Sequence, residues 1–306
     1  AAVTHAAEPI KSKYFRFVYN PAGSEPGAED LDAAKWKPNL KVSNILLLSE
    51  PRINQFEGKS GMVWRISEPT ASNEINDDEC IDKNKLIDLS TFVKADGTLT
   101  WDAPAGQWTI LRMGHTSTGH QNETAGAGKG LECDKFNPAA VKIQFNGWFN
   151  KAIEIAGPTL ASRVLKSFHV DSWECGSQNW SIVFKDEFKK RRGYDPVDYL
   201  PAIAGYPIES AVTSERYLYD IRRTIAELIT DNFFHTLKGL AHEKGVTFTS
   251  ETTAPVMVTD GMAHFKEVDV PMGEFWLRSP SHDKFNDILD AVSGAHVYGK
   301  TIVQAE

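Results

Sequence analysis

The sequence predicts a parallel α/β fold over residues 107–306, preceded by a β-rich segment, an antiparallel sheet or sandwich, over residues 1–106. Three observations lead there. The first third consists of short apolar runs punctuated by Gly, Pro, Asn and Asp. Beyond it, strand-like runs alternate with segments of helical period, which is the pattern of a parallel sheet. Several of those later runs end in an acidic residue.

The β-rich part rests on "YFRFVYN", "NILLLSE", "GMVWRISE" and "LIDLSTFV", each rich in β-branched or aromatic residues. Asp96-Gly97 is a hairpin signal, and Pro104-Ala105-Gly106 a further turn. The second part opens with "NPAAVKIQFNGWFNKAIEIAG", a helix with Pro near its start. "VLKSFHV" is apolar throughout and suits a buried strand that ends at Asp171. A long helix follows, with Ser214 as its cap and Gly245 as its stop. Its buried stripe is Leu218, Ile221, Ile225, Leu228, Ile229, Phe233, Leu237, Leu240 and Ala241. "VTFTSE" and "EVDVPMGEFW" read as strands ending at Glu251 and Glu274. A last helix stops at Gly299, and "TIVQAE" is a strand ending at Glu306.

Composition narrows the function. The chain has 306 residues, 41% hydrophobic and 24% charged, with a net charge of −8. Its longest basic run is "KKRR" at 189–192, so it lacks the basic stripe of a nucleic-acid binder. No apolar run approaches the roughly 18 residues of a membrane span. Cys80, Cys133 and Cys175 form no CxxC and read as buried or half-buried thiols. The Gly-rich loop from Gly114 to Lys135 lacks phosphate-loop spacing and reads as a rim over a site. His115, His120 and His242 form no zinc motif, and no nucleophile-elbow serine is present. The chain starts without Met and stops within a strand-like run, the expectation for a fragment of a longer protein.

The acids carry the chemistry. In parallel α/β folds all strand C-termini lie on one side, and that side holds the site. Asp171 with Glu174, then Glu251, Glu274 and Glu306 should therefore converge in one basin. Gathered carboxylates act as general acid and base, ligate a hard cation or hold a basic substrate. Trp173, Trp180 and Trp276 lie close in sequence to strand-end acids and offer flat faces on which sugars stack. A plain structural reading stands beside each. Asp171 bonds its own loop or caps a helix near 184, Glu251 is a solvated loop acid, the tryptophans are core, and His169 is a satisfied core histidine.

Six stretches together resemble glycoside hydrolase family 106, the bacterial α-L-rhamnosidases. They are "WTILRMGHTSTG", "GLECDKFNPAAV", "VDSWECGSQNW", "EFKKRRGYDPVDYLPAIAG", "DVPMGEFW" and "SGAHVYGKTIVQAE". The likeness covers residues 85–306 or so. It implies a (β/α)8 catalytic barrel, here partial and truncated at its C-terminus, since residues 107–306 fall short of the about 250 a whole barrel takes. It implies removal of terminal α-L-rhamnosyl residues from a glycan with inversion. Glu174 and Glu306 match the acid and base pair. Glu274 matches a third site glutamate that contacts a calcium ion or the sugar. Asp171, Trp173, Trp180, Glu251 and Trp276 would line the substrate. The family also implies a periplasmic or secreted parent protein. Two other readings remain: a non-catalytic carbohydrate-binding protein, and a glycosidase for another sugar on the same barrel.

Overall fold

The computed structural model describes residues 2–18, 42–64, 67–71, 74–122, 124, 126–254, 257–275 and 285–306. Its centre is one four-stranded sheet: β1 (Ser167–Val170), β2 (Thr247–Ser250), β3 (Val270–Gly273) and β4 (Gln304–Ala305). The strands stand side by side in chain order and every pairing is parallel. Register is continuous from Ser167↔Thr247 to Val170↔Ser250, and Thr249 then faces Val270. Parallel neighbours need long crossovers, and helices occupy most of them.

The short α1 (Phe56–Lys59) comes first in the chain. Next are α2 (Pro138–Gly147), α3 (Phe149–Ala156) and α4 (Pro158–Val164). Asn137 caps α2 by accepting from the Ala139 N–H at 3.0 Å, and Pro138 occupies the first helical position, where no N–H is needed. The predicted helix over 137–157 thus exists but breaks at Trp148. Between β1 and β2 lie α5 (Phe184–Arg192), a 3₁₀ stretch (Pro196–Ala204), α6 (Ala211–Leu228) and α7 (His235–Glu243). Helix α8 (Phe285–Val297) packs on β3 before β4.

Helices α6 and α7 are the predicted long helix, and all nine residues of its stripe are buried. The cap differs from expectation. Ser210 accepts from the Thr213 N–H at 3.0 Å, while Ser214 is buried inside the first turn and bonds the carbonyls of Ile208 and Ser210. A π turn over Ile229–Phe234 joins the two helices, and the sequence period gave no warning of it. The neighbourhood bonds to outside groups: Thr259 Oγ1 donates to the Ala226 carbonyl, and Asn232 donates to Phe136 O. Phe145, Phe149, Phe168 and Phe248 fill the space between α2, α3 and the sheet.

The β-rich reading of residues 1–106 is not what the described residues form. They hold α1, three short 3₁₀ turns and no strand. The Asp96-Gly97 turn exists, with Gly97 at φ 84°, but its ladder is one antiparallel bridge, Val93↔Leu99. Phe15, Phe17 and the run Leu46, Leu47 and Leu48 are exposed. Strand propensity is realised only against a partner strand and a covering face, and these runs have neither here. Instead the segment is stitched to the helices. Ile53 N–H donates to Gly205 O, Arg222 donates to the Lys59 carbonyl, and Lys59 Nζ pairs with Glu215 at 2.6 Å.

Candidate active site

Each strand ends one residue before an acid: Val170 before Asp171, Ser250 before Glu251, Gly273 before Glu274, Ala305 before Glu306. Because all four strands are parallel, the four acids share one edge of the sheet, as the sequence pattern requires. The ladder bonds reach into this edge. Glu251 N–H donates to Val170 O at 3.0 Å, and Glu306 N–H donates to Gly273 O at 3.1 Å.

Three acids come together. Glu251 is 2% exposed, and its buried Oε1 has no hydrogen-bond partner. Burial, proton sharing with Glu306 and Asp171, and the charges of those two push the Glu251 carboxyl up to about 9. At neutral pH the group therefore keeps its proton. His169 joins them, with one ligating atom each of His169, Asp171 and Glu251 lying within 4.8 Å of one another. The ring Nδ1 of His169 is 2.7 Å from Thr249 Oγ1, which leaves Nε2 for the site. Burial lowers the imidazole's basicity against the opposing charges of Asp171 and Glu306. Among the described residues, no Lys or Arg forms an ion pair with Asp171, Glu251 or Glu306.

Other expected residues sit differently. Glu174 is exposed on the loop after β1 and accepts from Ser172 Oγ at 3.4 Å. Asp171 does bond its own loop, accepting from the Ser172 N–H, as well as facing Glu251. Trp173 is a correction. It is 5% exposed, its indole N–H donates to Gly176 O, and its ring packs against Phe233 under the Lys135 ammonium, so no face is open to a sugar. A large apolar ring next to a solvated acid gains more by burial than by waiting for a ligand. Trp180 is half-buried on Phe184 of α5, with ring centroids 4.7 Å apart. Glu274 is half-buried at the end of β3 and outside the 4.8 Å group. Trp276 lies outside the described residues.

The described residues of the Gly-rich loop close on one another. Gln121 bridges Leu131, Asn122 N–H donates to Gly130 O, and Glu132 N–H donates to His120 O. The ring of His120 lies so close over Gly176, itself at φ 70°, that a Cβ there would stand 2.5 Å from its Nε2. The loop bearing Glu174 thus turns on a glycine in the left-handed region, where a side chain would be strained and would have to push the His120 ring aside. The residue the sequence reading undervalued is His169. On a strand, residues 167, 169 and 171 share a face, and that alternation with the buried Phe168 was the available signal.

The family model described as alpha-L-rhamnosidase, of glycoside hydrolase family 106, matches residues 17–306. A curated protein of Formosa agariphila, named "Putative beta-glucuronidase", is 36% identical over 282 residues, 88% of this chain and 24% of that protein. A solved rhamnosidase from Novosphingobium sp. PP1Y superposes with a TM-score of 0.69 at 28% identity, over 85% of this chain and 26% of that one. The chain spans about a quarter of the length of each relative. With its family model matched from residue 17 to residue 306, this chain belongs to glycoside hydrolase family 106.

Proposed function

We propose that this chain carries the acid centre of an inverting exo-α-L-rhamnosidase and forms consecutive strands of a (β/α)8 barrel. The observation that carries the reading is the buried Glu251 carboxyl brought together with Asp171 and Glu306 at the C-terminal edge of a parallel sheet. Glu174 and Glu306 divide the proton transfers. One protonates the glycosidic oxygen, and the other activates a water on the opposite face of the sugar. Asp171, Glu251 and His169 form the wall that orients the sugar, with Trp180 farther out.

Three carboxyls at one spot, one with a bare buried oxygen, fit the hard oxygen donors that calcium takes. Asp171 and Glu251 would hold the ion, with Glu274 of the neighbouring strand end a further ligand directly or through one water, which leaves Glu306 to the proton transfer. Bound calcium supplies charge neutralisation and a fixed point for sugar hydroxyls. The notion of a periplasmic or secreted enzyme goes with the same family reading.

The name of the Formosa agariphila relative favours a second reading, a glycosidase for a uronic acid sugar. The electrostatics oppose it. A sugar carboxylate would meet Asp171, Glu251 and Glu306, which among the described residues pair with no Lys or Arg, and would depend on the ion alone for attraction, whereas a neutral deoxy sugar meets no such repulsion. Aryl α-L-rhamnoside and aryl β-D-glucuronide, offered separately to the full-length protein, decide between them. NMR of the first-formed anomer tests inversion. Release from the glucuronide alone, or first-formed α-rhamnose, would overturn the proposal.

A further inference from the structure

His264 lies on the 3₁₀ turn Ala263–Glu267, between β2 and β3, and none of it is exposed. Its ring is held between Phe265, at 4.0 Å between centroids, and Phe234, at 4.8 Å. Nε2 is 2.9 Å from the backbone oxygen of Glu251. A carbonyl only accepts, so the proton is on Nε2 and donates. Nδ1, the other ring nitrogen, is buried and makes no hydrogen bond of good geometry.

A phenyl ring would fill this pocket without burying an unpaired nitrogen, which costs stability. What histidine adds is the donor. The carbonyl that receives it belongs to Glu251 and also accepts from Ser250 Oγ at 2.9 Å. The N–H of the same residue is held by Val170 O. Both backbone groups of Glu251 are therefore fixed, and its side chain projects from that fixed point toward Asp171 and Glu306.

We infer that His264 is a positioning residue, whose Nε2–H anchors the Glu251 backbone and so sets where the Glu251 carboxyl stands among the other acids. It touches neither substrate nor reacting atoms. The inference rests on the reading above that Glu251 belongs to the reaction site.

Two substitutions in the full-length protein separate positioning from packing. His264→Phe keeps the ring and removes the donor. His264→Gln keeps a donor near Nε2 and loses the ring. Turnover on aryl α-L-rhamnoside should fall about tenfold or more in the Phe variant, with KM within about twofold, and return to within about threefold of wild type in the Gln variant. Melting temperature should run the other way, with Phe the more stable of the two. Amide exchange at Glu251, which needs no substrate, should quicken in Phe and recover in Gln. Wild-type turnover in His264→Phe, or turnover that follows melting temperature across the variants, overturns the inference. If the wild-type protein fails on the rhamnoside, the functional proposal falls, and the exchange measurement alone decides the anchor. Unchanged exchange in His264→Phe then overturns it.

Discussion

Just before β3, Glu267 and Asp269 are each surrounded by donors, whereas just after the strands Asp171, Glu251 and Glu306 face one another. Burial pushes the Glu267 carboxyl up, but the His235 hydrogen bond and the charges of Lys238, His235 and Lys266 outweigh it. Asp269 is likewise desolvated, yet the Phe248 N–H at 2.8 Å and His242 at 2.7 Å hold its carboxyl below the usual range. Glu251 has burial and two like neighbours acting in one direction, upward. The same residue types, in one small sheet, are ionised and paired on one side and protonated and crowded on the other. A fold that merely needed stability would pair both sets, because crowding acids without a counter-charge opposes folding. The unpaired set is where function is spending stability.

The sharpest way to break this contrast is through catalysis. Glu174→Gln or Glu306→Gln in the full-length protein should lower turnover on aryl α-L-rhamnoside by about 10² to 10⁴, the scale of general acid–base catalysis. Melting temperature should hold in Glu174→Gln, where the carboxyl is exposed, and hold or rise in Glu306→Gln, which relieves repulsion at the edge. Wild-type turnover in either variant would remove that residue from the pair. Notably, the isolated 306-residue chain should hydrolyse the same substrate poorly. Site geometry must hold within about half an ångström, and a four-stranded sheet has two open edges.

The next effect is on stability against pH. The folded carboxyl of Glu251 is raised from an ordinary 4.5 to about 9. A raised folded value means the folded chain binds the proton more tightly than the unfolded chain. Its contribution is full below about pH 4.5 and is lost as pH rises toward about 9. Without a divalent cation, melting temperature should therefore decline across that window, and Glu251→Gln should flatten the decline. Added calcium should oppose the loss at the alkaline end in wild type more than in the variant. An identical pH dependence in both proteins would mean that Glu251 is not crowded.

The paired side predicts the reverse partition. Asp269→Asn weakens the bonds to the Phe248 N–H and His242, and should cost about 1–3 kcal/mol of stability. Turnover per folded molecule should stay the same, as denaturant titration alongside active-site counting would show. The smallest effect belongs to His235→Gln. That side chain is 68% exposed, so its bond to Glu267 should be worth less than about 1 kcal/mol, measured in a double-mutant cycle with Glu267→Gln.

Much of this was legible beforehand in period and spacing. The stripe from Leu218 to Ala241 repeats with the helix, so its burial followed, and Gly245 ended the helix at φ 70°. The strand-ending acids followed from β1 to β4 for the same reason, since a chain that alternates strand and helix has one way to orient its strands. Residues 14–18 and 44–48 show the limit. Their β-rich composition is real, but a strand is made by a partner, and composition does not name one.

What the sequence alone determined was order and side: a parallel sheet, its acids on a single edge, and the family to which those motifs belong. What only the tertiary structure decided was neighbourhood. It sent Trp173 into the core beneath Lys135, drew His169 to the acids, and put Asp171 and Glu306 beside Glu251. It also set His264 behind the Glu251 carbonyl, thirteen residues along the chain. Periodicity is a property of consecutive residues and can be read along the chain. A pKa near 9, or a donor aimed at one carbonyl, depends on which distant groups share a few ångströms of space, and folding alone brings those together.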